Sequence, residues 1–195
     1  MKYNNETLGA LALIFAGVFL SFGGVIIRFM ESSSAWQITG YRSITFSLAI
    51  LLYILIKYKK DTPHAFKKIG HSGILIALIL GFSNTCFVWG MSTTTVSNAV
   101  FIMSTGPLFA AICSYFFLKR KIGKKTFIAI AGSMFGITIM FSGGMESSNY
   151  IGNIIILGVP IGFAFQLTLL NYNSHIDFMP ATFLGGVFSS LIGFI

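Results

Sequence analysis

Acidic residues are almost absent from this chain. Of 195 residues only 5 are Asp or Glu, against 13 Lys or Arg, and charged residues make up 9% in all. A soluble domain carries about 25% charged residues, so a water-facing surface of ordinary composition is excluded. The long apolar stretches hold no Asp, Glu or His. They therefore offer no carboxylate or His relay of the kind proton-driven pumps use. They also lack the His and carboxylate ligands of a membrane metalloprotease, and the buried His or Lys base of an intramembrane Ser protease. There are 2 Cys, Cys86 and Cys113, without CxxC spacing. Both read as small apolar core residues and say nothing about redox compartment. His64, His71 and His175 lie scattered in or beside loops, so no metal and no cofactor is expected.

What is there is apolar. Hydrophobic residues make up 55% and aromatics 15%, and mean hydropathy is +0.83. About seven segments of roughly 15–23 residues run Leu8–Ile27, Ala35–Ile56, Gly73–Met91, Val96–Leu118, Phe127–Phe141, Ile151–Leu170 and Pro180–Ile195. A helix needs about 20 apolar residues to cross a bilayer, and in lipid it satisfies its own backbone hydrogen bonds. The chain therefore reads as an all-α, polytopic transmembrane bundle. No small-x-small cleavage site precedes Arg28, so the first segment reads as an uncleaved helix. Short connections rich in Gly, Ser, Asn and Pro leave no room for a soluble domain.

Net charge of +8 raises nucleic acid as a partner, but the placement of that charge excludes it. Eleven of the 13 basic residues precede segment one (Lys2) or fall in two breaks, Lys57–Lys68 and Lys119–Lys125. If every segment spans, all eleven share one side, and the positive-inside rule makes that side, with the N-terminus, cytoplasmic. The connection Asn171–Met179 should share it yet holds no Lys or Arg. The breaks read as topology signals touching anionic lipid.

Segments one and six overlay without gaps: Leu8-Gly9 on Ile151-Gly152, Phe22 on Phe165, Ser34 on Asp177, Thr39 on Thr182. Segment six follows an odd number of spans, so the second copy points the other way, an arrangement common in secondary transporters. Two unrelated apolar helices can also be slid into such an alignment, and both readings stay open.

The run from Gly17 to Arg42 contains Ser21-Phe22-Gly23-Gly24, Arg28, Glu31 and Trp36-Gln37, ending in Tyr41-Arg42-Ser43. Further on come Thr94-Thr95-Val96-Ser97-Asn98-Ala99, Gly106-Pro107-Leu108-Phe109-Ala110-Ala111, a basic turn, and Ile130-Ala131-Gly132-Ser133-Met134-Phe135-Gly136. Together they resemble the EamA-like branch of the drug/metabolite transporter superfamily. That resemblance implies two inverted five-helix repeats, ten helices in all, around a pocket that alternates between the sides of the membrane. Residues 1–143 would be the first repeat and 150–195 the start of the second. About seven of ten spans are present, which reads as a C-terminally truncated sequence. Where the family usually carries Gly-Glu after its fourth helix, this chain has Lys119-Arg120.

Arg42 is the one charge inside an apolar segment, about seven residues or roughly 10 Å from its outer end. It reads as a fixed cation facing the bundle, or as a strut or a side chain snorkelling to the headgroups. Arg28 and Glu31 read as an interfacial pair. Ser21 and Phe22, Asn84 and Trp89, Asn98, Phe101 and Ser104, and Gln166 complete the candidate pocket. Ser97, Phe101, Ser104 and Leu108 share one helical stripe. Helix–helix glue is the alternative for the polar members, and an interfacial belt for Trp89. Pro107 and Pro160, each placed mid-helix, are candidate hinges. Gly132 and Gly136, Gly158 and Gly162, and Gly185, Ser189 and Gly193 read as close-packing faces. The function that follows is a secondary transporter, not an enzyme, moving a small organic metabolite or drug-like solute across the cytoplasmic membrane. A non-transporting subunit or sensor is the alternative. Expected partners are membrane lipid and a small-molecule solute, with a homodimer left open.

Overall fold

A computed structural model describes residues 34–119, 123–141, 150–173 and 176–194, with scattered positions between 7 and 18. Ser21, Phe22, Arg28 and Glu31 lie outside the described residues. The architecture is all-helical. Helix α1 is Ala35–Tyr58, α2 Thr62–Lys68, α3 Gly70–Thr93 and α4 Val96–Ser104. Helix α5 is Gly106–Leu118, α6 Lys124–Phe141, α7 Tyr150–Tyr172 and α8 Met179–Gly193. Among the described residues, the stretches Ala35–Lys68, Gly70–Thr93, Val96–Leu118 and Tyr150–Tyr172 are long and apolar enough to cross a membrane.

Local chemistry sets the helix ends. Helix α1 starts in a reciprocal capping box: Ser34 Oγ accepts from the Gln37 N–H, and Gln37 Oε1 accepts from the Ser34 N–H, both at 3.3 Å. Thr95 Oγ1 likewise accepts from the Asn98 N–H at the start of α4. Gly70, at φ +56°, turns the chain sharply from α2 into α3, a conformation open to glycine without strain.

Helix α3 is central. It packs on α7 and α8, and α8 in turn packs on α1, while α4 and α5 lie along α7. At one end of the bundle Trp36 meets Trp89 edge-on at 4.7 Å, Thr94 Oγ1 donates to Asn153 Oδ1 at 2.6 Å, and Gly193 sits against Gly40. At the other end Lys57 pairs with Asp177 and Phe66 meets Phe183 at 5.7 Å. Phe117, next to the last residue of α5, meets Phe165 of α7 at 5.6 Å. Both basic breaks and the 171–178 connection thus lie at one end, which we call the basic end. The connection that lacked Lys and Arg shares that end after all. It supplies the carboxylate that Lys57 holds.

Two of the three small-residue faces are packing faces. A Cβ on Gly158 would lie 3.3 Å from Cys86 Cβ, and one on Gly185 3.0 Å from the Ala77 carbonyl oxygen. The third lies in α6, where a Cβ on Gly132 would meet nothing within 4 Å among the described residues. Pro107 also moves. It does not sit mid-helix but in the first turn of α5, because the segment breaks at Thr105. Proline has no N–H to continue the ladder, and its ring excludes the carbonyl four residues back. The Ile102 carbonyl instead takes both the Thr105 N–H (3.1 Å) and its hydroxyl (2.6 Å). Pro160 does lie inside a helix, and is buried.

Candidate solute-binding site

Four helices enclose a cavity of about 770 Å³, well within the size range of small-molecule sites. Helix α1 contributes Arg42 and Phe46; α3 contributes Leu80, Ser83, Asn84, Phe87 and Met91. From α4 come Val96, Val100 and Met103, and from α7 Val159, Phe163 and Gln166. The lining runs from the Met91 and Val96 end of the bundle to the level of Leu80 and Gln166.

The polar wall is one connected network. Arg42 donates from Nη1 to Asn84 Oδ1 at 2.8 Å, and its guanidinium lies 5.0 Å over the Phe87 ring. Asn84 Nδ2 donates to Ser43 Oγ and Ser189 Oγ, both at 3.2 Å. Ser43 donates to Ser189 at 2.9 Å, and the Thr85 hydroxyl is 3.3 Å from Ser189 while donating to the Gly81 carbonyl at 3.0 Å. Arginine only donates, so the Asn84 oxygen must face it and the amide orientation is fixed. Ser43 and Ser189 are fully buried, and each hydroxyl pays its desolvation through this network.

Of the residues expected at a pocket, the structure brings Arg42, Asn84 and Gln166 together. Arg42 faces the bundle and does not snorkel. Trp89, Asn98, Phe101 and Ser104 do not line the cavity. Trp89 meets Trp36 edge-on at the bundle end, with its Nε1 buried and without a hydrogen-bond partner among the described residues. Asn98 is buried, with Nδ2 unpaired among the described residues, and Ser104 turns back on the Phe101 carbonyl at 2.5 Å. The face of α4 toward the cavity is the apolar row Val96, Val100, Met103. That row, with Phe87 and Phe163, is what a search for polar groups passes over.

At the basic end Asp177 ties the end of α1 to the start of α8. Its Oδ2 accepts from Lys57 and from Tyr58 Oη (2.5 Å), and its Oδ1 from the Met179 N–H (3.0 Å). Burial pushes the Asp177 carboxyl up, but these hydrogen bonds and the Lys57 charge more than offset that and bring it down to about 2. The folded value lies below the ordinary 3.8. The latch therefore contributes fully above that value, and its contribution fades as pH falls toward about 2. In melting curves across pH, Asp177→Asn is expected to lower the midpoint slightly at neutral pH. It should also remove the part of the acid-side loss that falls in that window. An unchanged acid limb in the variant would show that the latch contributes nothing.

Membrane-length helices around an apolar cavity, with one cation on its wall, define the class as a multi-pass membrane protein. Residues 7–142 match the EamA-like transporter family, and the chain belongs to it. It is 26% identical over 203 residues to the uncharacterized transporter YetK of Bacillus subtilis (strain 168), covering 97% of this chain and 59% of that protein. It is 35% identical over 96 residues to probable purine permease 4 of Arabidopsis thaliana, covering 46% of this chain and 25% of that protein. Over 104 residues it is 30% identical to an S-adenosylmethionine uptake transporter of Rickettsia bellii (strain RML369-C), covering 53% of this chain and 35% of that protein. The chain thus spans well under two thirds of the length of these relatives. No solved structure matches it significantly.

Proposed function

We propose that the protein is a secondary transporter that carries a small organic solute across the cytoplasmic membrane by alternating access, without catalysis. The observation that carries this reading is the cavity of about 770 Å³, lined from the Met91 and Val96 end of the bundle to the level of Leu80 and Gln166. The positive-inside rule places the basic end, and the N-terminus, in the cytoplasm, so the cavity opens outward. The Asp177 latch is then the inner closure, and the break at Thr105 is the hinge.

The division into inverted repeats, 1–143 and 150–195, is part of this proposal. Helices α1 and α8 run antiparallel, with contacts Gly40–Gly193, Ser43–Ser189, Phe46–Gly186 and Lys57–Asp177 along their length. The overlay of Ser34 on Asp177 also puts Ser43 on Gly186 and Phe46 on Ser189. The Ser43–Ser189 and Phe46–Gly186 contacts exchange under it, as an in-plane two-fold axis requires.

The test is directional labelling together with transport. Val100 is 53% exposed, on the cavity wall. Val100→Cys in right-side-out vesicles is expected to react with an impermeant thiol reagent from outside, whereas the native Cys86 and Cys113 are buried. Asp177→Asn is expected to lower that reactivity by releasing the inner closure. Solute flux across a metabolite panel is expected in vesicles containing the protein and absent from empty ones. Labelling only from the cytoplasmic side, or no flux for any solute, would overturn the reading.

A further inference from the structure

We propose that the cavity selects organic monoanions, compounds with one carboxylate or similar oxyanion on an apolar, ring-bearing body, and that Arg42 is the group that receives the anion. This rests on the reading of the cavity as a solute site. The argument starts from charge balance. A guanidinium does not give up its proton in a protein, and a buried charge is tolerated where something of opposite sign compensates it. Among the described residues nothing in the lining does so. Of those that wall the cavity Arg42 is the one charged residue, and neither Asp nor Glu is among them. Its two defined partners are neutral: the Asn84 amide oxygen at 2.8 Å and the face of Phe87 at 5.0 Å.

Those partners leave the cation in place and available. Only Nη1 is engaged by Asn84, so the guanidinium keeps donors for the planar, two-pronged recognition of a carboxylate. Asn84 is a positioning residue. Its own Nδ2 is held by Ser43 and Ser189, so it presents its oxygen to Arg42 as a fixed strut. A single fixed charge matches a single anionic head. The remaining wall is built for an apolar body, with Phe46, Phe163 and Met103 around it and the Gln166 amide on the α7 side. Cationic solutes are disfavoured twice. Arg42 repels them, and the Phe87 face that would attract them is already covered by Arg42 itself.

Three isosteres with one indole body separate the charge states: indole-3-acetate (anion), indole-3-acetamide (neutral) and tryptamine (cation). Binding is read as protection of Val100→Cys from the thiol reagent. The anion is expected to protect at about tenfold lower concentration than the amide, the difference between a charge-assisted and a neutral hydrogen-bonded pair. Tryptamine is expected to protect least. Arg42→Gln should bring the anion-to-amide ratio to about one while amide protection persists, and Arg42→Lys should keep part of the preference. Asn84→Asp, nearly isosteric, supplies the missing carboxylate. It should leave the melting temperature unchanged or higher, and it should erase the anion preference just as Arg42→Gln does. An anion-to-amide ratio that survives Arg42→Gln and Asn84→Asp overturns the role of Arg42. Equal or better protection by the amide or by tryptamine in the unmodified lining overturns the anion class while the solute cavity stands. Protection by none of the three overturns the anion class as well. Only the flux assay of the preceding section then decides whether the transporter reading survives.

Discussion

Gly81→Val is expected to destabilise the bundle by about 3 kcal/mol or more, the upper range for overpacking a tight contact. Helices α3 and α8 cross here with almost no side chain between them. A Cβ on Gly81 would lie 2.9 Å from the Gly185 carbonyl oxygen, 3.0 Å from Phe188 Cβ and 3.3 Å from the Ser189 nitrogen. Two of those three atoms are backbone, which cannot rotate away as a side-chain tip can. Relief requires the helices to separate. Apolar side chains gain nothing by leaving lipid for a helix interface, so membrane helices associate through close packing and hydrogen bonds. Separation loses both. Ser189 sits at the same crossing and holds Ser43 and Asn84, so moving it also unties the network behind Arg42. The measurement is the melting temperature and the folded, monodisperse fraction in mild detergent. Gly132→Ala is the contrast. With no neighbour within 4 Å of its Cβ position among the described residues, alanine there should gain up to about 1 kcal/mol through helix propensity. Wild-type melting of Gly81→Val would mean the crossing is looser than its geometry.

That contrast shows where the sequence was legible. Apolar length and the placement of Lys and Arg were enough for the class of fold, for most of the segments that the described residues cover and for the shared end of the basic breaks, because lipid imposes those features along the chain itself. Which glycines meet a neighbour was not legible. Gly132 and Gly185 stand in similar small-residue spacings, and only the partner helix distinguishes them. The cavity was half legible for a related reason. In helices apolar all round, no hydrophobic face marks the inside, so a polar residue is the only sequence sign of direction. Asn84 and Gln166 do lie on the cavity wall. Residues three, four and seven away from them complete the wall: Leu80, Phe87 and Met91 on α3, Phe163 and Val159 on α7. On α4 the same logic failed. Ser104 spends its hydroxyl on its own backbone and Asn98 is buried away from the cavity lining, so the face turned inward is the one with no polar residue.

Pro107→Ala is expected to slow transport about tenfold, equivalent to raising the limiting barrier by about 1.4 kcal/mol, while leaving the melting temperature close to wild type. The two effects part because of where Pro107 sits. In the first turn of α5 its missing N–H is one that a helix start leaves unpaired anyway, so the folded state loses little when alanine replaces it. What alanine adds is an N–H that can reach the Met103 carbonyl, together with a better helix propensity. Both favour continuing α4 through Thr105 into α5. The row Val96, Val100, Met103 lines the cavity on α4, whereas α5 runs on toward the basic end. A continuous helix would move these two halves as one rod, and the outer half could no longer tilt while the inner half stays packed on α7. Across the break lies the other proline: a Cβ on Gly106 would stand 3.9 Å from Pro160 Cβ, so the interrupted ladders of two neighbouring helices meet at one level. Pro63→Ala is the control. Pro63 also lies in a helix first turn, but in α2 at the basic end, and its replacement should change neither flux nor melting. Wild-type flux in Pro107→Ala, or an equal loss in Pro63→Ala, would remove the break at Thr105 as the hinge.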